Sequence, residues 1–489
     1  MMKVAIIGAG TGGMASAIRL AKLGYEVSVF EANDFVGGKV NEKWIGSYRF
    51  DMGPSVFTEP ALIEELMTLC GKDSSEFSYR QLEESCRYFF SDGQQVNIPS
   101  GLNQTANTFE TAFGENRQRT ERFLKRLSLN YQSLSPVFIQ ASLHRINQWC
   151  NKGIFRAILR IPFYGMIRTM NAVNQSRFKN PKTAQLLNRM ATYNGSSPYR
   201  TPGLLNIISH LEFNEGPAMP IGGMVQISKT LHQLCLGLGV QFHLNERVEE
   251  ILHTKNKVTG IRTSRKSVDC DIVVSNMDVH FTYERLLKGL HEPKKILRQE
   301  KSSSAIVFYW GMKEPFQELG VHNIFFAADY RAEFEAIFST KTRFDDPTIY
   351  IHITSKVEKG DAPVGSENWF VMVNAPINVG QDWDVFVAET RRTCIEKLSK
   401  ALNRDVEALI EVEEQNEPRK IESVYFGKQG SIYGNSSNSA FSAFYRHPNF
   451  SKTLKGLYFA GVTVHPGGGI PLALNSAKIV ERCVREDYQ

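Results

Sequence analysis

The sequence has few of the features that mark metal sites, disulfide frameworks or hydrolytic triads. Its seven cysteines lie far apart, at positions 70, 86, 150, 235, 270, 394 and 483, and no two form a CxxC pair. Because zinc sites need closely spaced ligands and disulfide-rich domains need paired cysteines, this spacing predicts neither. The odd number favours a reducing compartment. The sequence shows no metal-ligand cluster and no Ser–His–Asp spacing, so we expect neither metal catalysis nor hydrolysis.

Long apolar runs and a strong net charge are also missing. No run of about 18 apolar residues occurs, so the sequence predicts no membrane-spanning helix. The net charge is only +6, which is too small and too dispersed to indicate nucleic-acid binding. It fits weak attraction to anionic membrane surfaces, although ordinary solvated surface charge explains it as well.

One segment, residues 154–168, combines a broad apolar face with several arginines. This combination is typical of a helix that lies on a bilayer surface. A core helix followed by a turn explains the pattern equally well. With the cysteine usage, the segment leads us to expect a cytoplasmic protein that associates peripherally with the membrane.

The chain divides into segments with two kinds of patterning. At 489 residues it is too long for one simple core, so two joined domains are expected. Short apolar runs alternate with helical patterns in 1–95, 216–290 and 421–489, and we expect these three pieces to form one discontinuous nucleotide-binding domain. The segments 96–215 and 291–420 are expected to form a substrate domain of helices and a mixed sheet. In segment 291–420, strand-like runs at 304–309, 348–354 and 369–374 predict a sheet that forms the floor of a substrate chamber.

The N-terminus has the pattern of a strand, a helix and a second strand. Residues 4–7 form a short apolar run, and residues 13–23 have apolar side chains at helical spacing. Gly24 ends the helix, and residues 27–30 form the next apolar run. The pattern predicts a right-handed βαβ unit.

The turn between the first strand and the helix satisfies the G-x-G-x-x-G pattern, with glycines at Gly8, Gly10, Gly12 and Gly13. In this motif the first glycine permits a tight turn, the second lets the backbone approach a pyrophosphate, and the third lets the helix pack closely on the strand. The phosphates would lie at the helix N-terminus, where free N–H groups and the helix dipole favour anions. The turn therefore predicts a Rossmann-like dinucleotide site.

Glu31 lies at the end of the second strand, where a carboxylate binds the ribose hydroxyls of a dinucleotide. Its charge would repel a 2′-phosphate, which argues against NADP. A glycine-rich turn without a ligand would explain the glycines but not the acidic strand end.

Two further stretches resemble flavoproteins of the amine oxidase and phytoene desaturase group. One is Gly37-Gly38-Lys39 and the other ends in Gly53-Pro54. The resemblance implies that the glycine pair continues the contact with FAD, that residues 50–54 line the flavin, and that Val248 offers backbone contact on the adenine side. Lys39 stands where the group usually has arginine, so it keeps the charge but loses the planar fork.

The C-terminal region resembles bacterial phytoene desaturase-type carotenoid desaturases in the stretches 456–461, 464–471 and 476–478. The resemblance implies that this turn passes beside the ribityl chain and the isoalloxazine ring, and that the following helix points its N-terminus at the flavin. The cofactor contacts implied here are Gly461, Gly468, Gly469, Ile470 and Pro471. Asn475 and Val462 depart from the pattern, because many relatives have glycine and the wider oxidoreductase group often has aspartate at these positions.

The resemblance covers nearly the whole chain and implies an FAD-dependent carotenoid desaturase. Such an enzyme introduces a C=C bond into a carotenoid chain by hydride transfer to flavin N5, and quinone or oxygen then takes the electrons. The tracts 140–170 and 434–438 indicate a later pathway step than phytoene desaturation, and 3,4-desaturation of a 1-hydroxycarotenoid is our leading expectation. The sequence is rich in aromatics, with 31 Phe and 17 Tyr, which could line an apolar tunnel or simply form core.

Two residues are candidates for a catalytic base. His465 lies beside the predicted flavin turn, and Asp51 lies near its other side. A buried structural role is an alternative for each of them.

Other functions on the same fold stay open. These are phytoene or diapophytoene desaturation, carotenoid isomerisation, and oxygenation or ketolation of a carotenoid. A non-enzymatic alternative is a binding module similar to Rab escort and GDP-dissociation-inhibitor proteins, against which the second glycine pair and the C-terminal glycine turn argue.

Overall fold

The computed structural model of the protein describes residues 1–145, 165–290, 292–439, 442 and 445–489. Its strands are β1 (Lys3–Ile7), β2 (Glu26–Phe30), β3 (Glu42–Ile45), β4 (Tyr48–Asp51), β5 (Tyr79–Gln81), β6 (Glu84–Phe89), β7 (Gln95–Pro99), β8 (Ala218–Pro220), β9 (Gln241–His243), β10 (Val248–Thr254), β11 (Lys257–Thr263), β12 (Ser267–Asp269), β13 (Ile272–Ser275), β14 (Ser304–Met312), β15 (His322–Phe325), β16 (Ile349–Ile353), β17 (Glu367–Ala375), β18 (Ile410–Asn416) and β19 (Leu457–Phe459).

The α-helices in the same ranges are α1 (Thr11–Lys22), α2 (Ala61–Leu69), α3 (Leu102–Phe113), α4 (Arg117–Leu134), α5 (Met170–Arg177), α6 (Pro181–Asn188), α7 (Val225–Gly237), α8 (Val279–Phe281), α9 (Lys294–Leu297), α10 (Tyr330–Glu335), α11 (Trp383–Leu402), α12 (Val406–Leu409), α13 (Pro418–Tyr425) and α14 (Ile470–Tyr488). Shorter 3₁₀ and π turns occur at Ser74–Glu76, Ser135–Ile139, Arg189–Asn194, Gly203–Ile207, His210–Glu215, Thr282–Leu286, Ala336–Thr340, Thr354–Lys356, Lys359–Asp361 and Lys428–Gly430.

A five-stranded parallel sheet joins the three segments that the sequence predicts to form a nucleotide domain. Its strand order is β19-β13-β1-β2-β9, and every neighbouring pair is parallel. Helices cover this sheet, so its strands are short apolar runs. Helix α1 packs against α7 and α14 in the hydrophobic core beside the sheet. The predicted N-terminal βαβ unit is confirmed, and the carboxyl ends of β1, β13 and β19 meet at one edge.

The second large sheet is mixed, with the order β18-β14-β17-β16-β15-β6-β7. Only β15 and β6 pair in parallel. Alternate residues point to opposite faces, so Val307 and Tyr350 join one hydrophobic core while Trp310 and Ile351 join another, beneath α11. The three strand-like runs predicted between 304 and 374 are confirmed as β14, β16 and β17.

The boundaries of the sheets differ from the segment boundaries expected from sequence. Strand β6 and the start of β7 lie in segment 1–95, yet both belong to the mixed sheet. Segment 1–95 therefore contributes to both sheets. Most of the candidate membrane segment, residues 154–164, lies outside the described residues. Within the described part of the chain, no helix has both the length and the apolar character needed to cross a membrane.

A buried charge network joins strand β4 to the turn Lys359–Asp361 and to the start of helix α7. The Arg49 guanidinium on β4 donates from Nε and Nη2 to Asp361, both at 2.7 Å, and from Nη1 to Asp51 at 2.8 Å. Arg49 and Asp51 are only 4% and 3% exposed. Two buried carboxylates thus depend on one guanidinium for their compensation.

We predict that Arg49→Met lowers the free energy of unfolding by about 3–5 kcal/mol, because it leaves Asp51 and Asp361 buried without a countercharge. Chemical denaturation of the purified protein measures the change. The matched control is Arg117→Met, since Arg117 is 45% exposed and its Glu121 pair is a surface contact that contributes about 0–1 kcal/mol. Equal stability of the two variants would contradict the prediction.

Candidate functional site

The glycine turn after β1 closes around the side chain of Asn276, which follows β13. A Cβ atom added to Gly10 would lie 2.7 Å from Asn276 Oδ1, and one added to Gly12 would lie 2.9 Å from Nδ2. Gly461, which follows β19, has a φ of +104°, and its added Cβ would lie 2.3 Å from the same Nδ2. Three distant segments therefore approach so closely that only glycine fits at the contact points.

Gly8 and Gly13 shape this turn from within. Gly8 has a φ of +95°, a conformation that other residues rarely adopt. A Cβ on Gly13 would lie 2.2 Å from the Gly8 carbonyl oxygen. Gly13 therefore lets the helix pack on the strand and does not line the cavity described below, as the motif predicts for its third glycine.

The N-terminus of α1 is open to an anion. Gly10 is its N-cap and offers no side chain, and the first turn holds no acidic residue. The first backbone N–H groups of a helix have no intrahelical partner. These unpaired donors and the helix dipole favour a phosphate group at this point.

Glu31 lies at the end of β2 with its carboxylate fixed toward the turn. Its Oε2 accepts a hydrogen bond from the Ala9 N–H at 2.9 Å, and its Oε1 accepts from the Asn33 N–H at 2.9 Å. Glu31 is 8% exposed and lines the cavity. The carboxylate keeps accepting capacity for hydroxyl groups, as a ribose site needs.

The second glycine pair is tied directly to the first turn. The Gly37 N–H donates to the Ala9 carbonyl at 2.8 Å, and an added Cβ on Gly37 would lie 2.4 Å from Ser228 Oγ. Gly38 also lines the cavity. Lys39 Nζ donates to the Ile432 carbonyl at 2.6 Å, and burial lowers the pKa of Lys39 to about 8.

The remaining predicted contacts approach the same space from other elements. Gly53 packs against the Lys39 carbonyl, because a Cβ atom added to Gly53 would lie 2.0 Å from that oxygen. Gly468 packs against the Tyr433 ring. Helix α14 begins behind Gly469 without a side-chain cap among the described residues, so its N-terminus is also open.

Residues from all of these elements line one cavity of about 710 Å³. Of the predicted cofactor residues, it is lined by Gly8, Gly10, Gly12, Glu31, Gly37, Gly38, Lys39, Gly53, Pro54, Val248, Gly461, Gly469, Ile470 and Pro471. Gly13 and Gly468 lie behind its wall. The structure therefore brings residues from three separate chain segments to one chamber.

The two base candidates do not line this cavity. Asp51 is held by Arg49 and accepts from the Met224 N–H at 3.1 Å, which caps the start of α7. His465 is 1% exposed with Nε2 2.9 Å from the Ala141 carbonyl oxygen, and burial lowers its pKa to about 3. Both side chains have structural partners, and burial raises the pKa of Asp51 despite Arg49.

The far half of the cavity is an apolar wall formed by the mixed sheet. Val307 pairs with Met372, Met372 with Tyr350, and Tyr350 with Ile324, so these side chains form one row across four strands. All four line the cavity. At about 4.8 Å per strand the four cavity-lining residues span roughly 14 Å, and Tyr88 on β6 continues the register behind the cavity wall. The length and character of the row fit a long apolar chain.

Some site residues could not be selected from the sequence. Asn276 is the residue that the glycines contact, and a signal for it in the sequence is its position directly after the short strand β13, at the carboxyl edge of a parallel sheet. Arg189 and Tyr330 also line the cavity. No motif marks them as site residues.

The chain matches the family model described as flavin containing amine oxidoreductase over residues 11–484. It belongs to this family. It is 47% identical over 479 residues to a 1-hydroxycarotenoid 3,4-desaturase from Flavobacterium sp., with 98% of each chain covered. It is 30% identical over 505 residues to a 4,4'-diapolycopene oxygenase from Methylomonas sp., covering 100% of this chain and 99% of the relative.

A solved structure of putrescine oxidase bound to putrescine has the same fold, with a TM-score of 0.65, 15% identity and 99% of each chain covered. The predicted fold class, an α/β flavin-binding domain joined to a mixed substrate domain, is confirmed. The resemblance to carotenoid desaturases is also confirmed. The protein is therefore an oxidoreductase with FAD as its cofactor. The residues present fit this group: open helix N-termini, a glycine cradle that a Cβ would fill, and the Glu31 carboxylate all face the cavity.

Gly10→Val is predicted to abolish flavin retention, because the side chain would occupy the space between the turn, Asn276 and the pyrophosphate. Flavin absorbance per mole of folded protein measures this, with circular dichroism to verify folding. The control is Gly237→Ala, where an added Cβ meets nothing within 4 Å, and this variant should stay yellow. A folded Gly10→Val protein with full flavin content would refute the cofactor site.

Proposed function

We propose that the protein is an FAD-dependent carotenoid desaturase whose reaction is the 3,4-desaturation of a 1-hydroxycarotenoid. The observation that carries the proposal is the 47% identity to a 1-hydroxycarotenoid 3,4-desaturase across 98% of both chains. The apolar row of the mixed sheet supports it, since a polyene needs a long wall with few polar groups.

The proposed cofactor residues are those predicted from the sequence: Gly8, Gly10, Gly12, Gly13, Glu31, Gly37, Gly38, Lys39, Gly53, Pro54, Val248, Gly461, Gly468, Gly469, Ile470 and Pro471. Segments 1–95, 216–290 and 421–489 are proposed as the FAD domain, with β6 and β7 contributing to the substrate sheet. Segments 96–215 and 291–420 supply the rest of the substrate domain.

The reaction removes two hydrogens from adjacent carbons beside a conjugated polyene. When bound, FAD supplies the two-electron acceptor, with flavin N5 as the accepting atom. Conjugation stabilises the positive charge that develops on the substrate, so the protein's main task is orientation. The row from Val307 to Ile324 excludes water and holds the chain straight along the sheet. Asp51 and His465 do not line the cavity, and we assign the released proton to water.

The direct test uses purified, FAD-loaded protein and a panel of hydroxylated and unsubstituted carotenoids in liposomes. A product that has lost two hydrogens from a 1-hydroxycarotenoid, with an absorption maximum at longer wavelength, is the expected result. The same enzyme heated to remove FAD is the control. Unchanged mass and spectrum for every carotenoid would refute the proposal.

A second candidate is oxygenation of a carotenoid end group. The observation that favours it is the 30% identity to a 4,4'-diapolycopene oxygenase over the whole chain. Product mass separates the two functions, since oxygenation adds oxygen and desaturation removes hydrogen. Isomerisation would leave the mass unchanged.

We also propose that the protein works in the cytoplasm and binds the membrane peripherally, where carotenoids and a quinone acceptor are dissolved; oxygen is the alternative acceptor. Ile167 supports this, because it is 92% exposed and belongs to the basic-apolar segment 154–168. An exposed apolar residue beside arginines suits the interface of an anionic bilayer.

Ile167→Glu is predicted to weaken binding to anionic vesicles by about 10-fold, because one buried aliphatic side chain contributes roughly 1.5–3 kcal/mol. Vesicle flotation with phosphatidylglycerol liposomes measures the bound fraction. Val364→Glu is the control, since Val364 is equally exposed but lies outside the segment. Equal binding of both variants would contradict the proposed surface.

A further inference from the structure

A buried ion pair interrupts the apolar half of the cavity. Arg189 and Glu212 are 7% and 2% exposed, and Arg189 Nη2 bonds Glu212 Oε1. The Tyr88 hydroxyl donates to Glu212 Oε1 at 3.1 Å, and the Tyr193 hydroxyl donates to Oε2. We call these four residues the Arg189 cluster. The carboxylate of the cluster is saturated with donors, whereas the guanidinium is not.

Three residues of the cavity wall, Arg189, Tyr330 and Ser431, have a buried polar side-chain atom without a partner among the described residues, and Ser431 lies at the cofactor end, next to Ile432, whose carbonyl binds Lys39. Arg189 Nε and the Tyr330 hydroxyl are both buried with no hydrogen bond in that part of the chain. Both residues line the cavity. A buried polar group without a partner costs about 1–3 kcal/mol, so two such groups on residues that line one cavity favour a ligand that brings a polar group to them.

The two groups are linked to one another and to the apolar row through Tyr88 and Phe326. Arg189 Nη2 donates to the Tyr88 hydroxyl at 3.0 Å, the Tyr88 ring stacks on Phe326 with ring centroids 5.8 Å apart, and the Phe326 ring lies 5.4 Å from that of Tyr330. Tyr88 of the cluster pairs in register with Ile324, at the end of the row that begins at Val307. A chain lying along the row would thus end at the Arg189 cluster.

The helical turn that carries Arg189 and Tyr193 reaches the predicted flavin turn at its other end. The turn Arg189–Asn194 ends at Gly195, whose added Cβ would lie 3.0 Å from the Tyr433 ring. The same ring lies 2.6 Å from the position of an added Cβ on Gly468. A partner for a hydroxyl beside the reacting bond must be near this turn, because positions 1 and 3 of a carotenoid are only two bonds apart.

The charges in the Arg189 cluster determine which kind of ligand group can bind beside it. Glu212 neutralises Arg189, so the pair favours a neutral group over an anion. Arg189 can only donate, whereas the phenol oxygen of Tyr330 both donates and accepts. An alcohol matches this set, because it accepts from Arg189 and exchanges a hydrogen bond with Tyr330. An unsubstituted hydrocarbon end would leave both groups unpaired.

We propose that Arg189 and Tyr330 form a subsite for the hydroxyl group at the end of the polyene, and that this subsite sets a preference for hydroxylated over unsubstituted carotenoids. The inference rests on the proposed function, since it identifies the polar contact of the same substrate. Tyr330 and Arg189 are specificity residues in this scheme.

The test compares wild type with Tyr330→Phe as FAD-loaded enzymes in liposomes. The substitution removes a hydroxyl that has no described protein partner, so the melting temperature should not fall. We expect kcat/KM for a 1-hydroxycarotenoid to drop by about 10-fold, since a hydrogen bond of this kind contributes up to roughly 1.5 kcal/mol. The value for the matching unsubstituted carotene should stay the same. Tyr283→Phe is the control, because Tyr283 is buried and bonded to His447 away from the cavity, and it should keep the wild-type ratio.

Binding provides a second readout that does not depend on turnover. Titration with either carotenoid, followed by the change in its absorption spectrum, should give a Kd ratio in favour of the hydroxylated chain in wild type and a ratio near unity in Tyr330→Phe. Arg189→Lys, which keeps a cation beside Glu212 but loses the fork, should also reduce the ratio.

Four outcomes separate the subsite from the proposed activity. A wild-type enzyme that binds both carotenoids equally, or a Tyr330→Phe variant that keeps the wild-type ratio, overturns the subsite. An equal loss for both carotenoids overturns it too, because that result indicates a structural role. A wild type that prefers the hydroxylated chain in binding but converts no carotenoid supports the subsite and refutes the proposed function.

Discussion

The close approach of three backbone segments around Asn276 is the constraint on which the nucleotide half of the molecule depends. The segments follow β1, β13 and β19, which are neighbours in the parallel sheet although they are far apart in the chain. Glycines at the contact points let the backbones come within van der Waals distance of one side chain. As a result, the N-termini of α1 and α14 open onto the same cavity edge, and their unpaired donors are available to FAD.

The apolar half of the chamber depends on the pairing register of the strands in the mixed sheet. Pairing across β14, β17, β16 and β15 places Val307, Met372, Tyr350 and Ile324 in one row on the face that meets the parallel-sheet domain. A slip of one residue would turn the row to the opposite face. The Arg49 network fixes β4, which precedes the flavin-side segment, to the Lys359–Asp361 turn. These buried charges tie the mixed sheet to the strand that leads into Gly53 and Pro54 of the cavity wall.

The local features of the site could be predicted from sequence. The strand, glycine turn, helix and Glu31 lie within one βαβ unit, where apolar spacing and glycine positions carry enough information. Non-local features could not. Strand β6 pairs in parallel with β15, which lies 236 residues further along the chain, so no local pattern assigns it to the mixed sheet. Asp51 and His465 likewise look available in the sequence, yet their partners Arg49, Met224 and Ala141 hold them behind the cavity wall.

The proposed function requires FAD and the carotenoid to lie in direct contact in one chamber, where the carotenoid loses its hydrogens. Single-turnover mixing of FAD-loaded enzyme with a 1-hydroxycarotenoid in the absence of oxygen tests it most directly. We expect flavin absorbance to fall as the longer-wavelength carotenoid appears, at the same rate and in equal amounts. Product that forms without flavin bleaching, or only after oxygen is admitted, would contradict it.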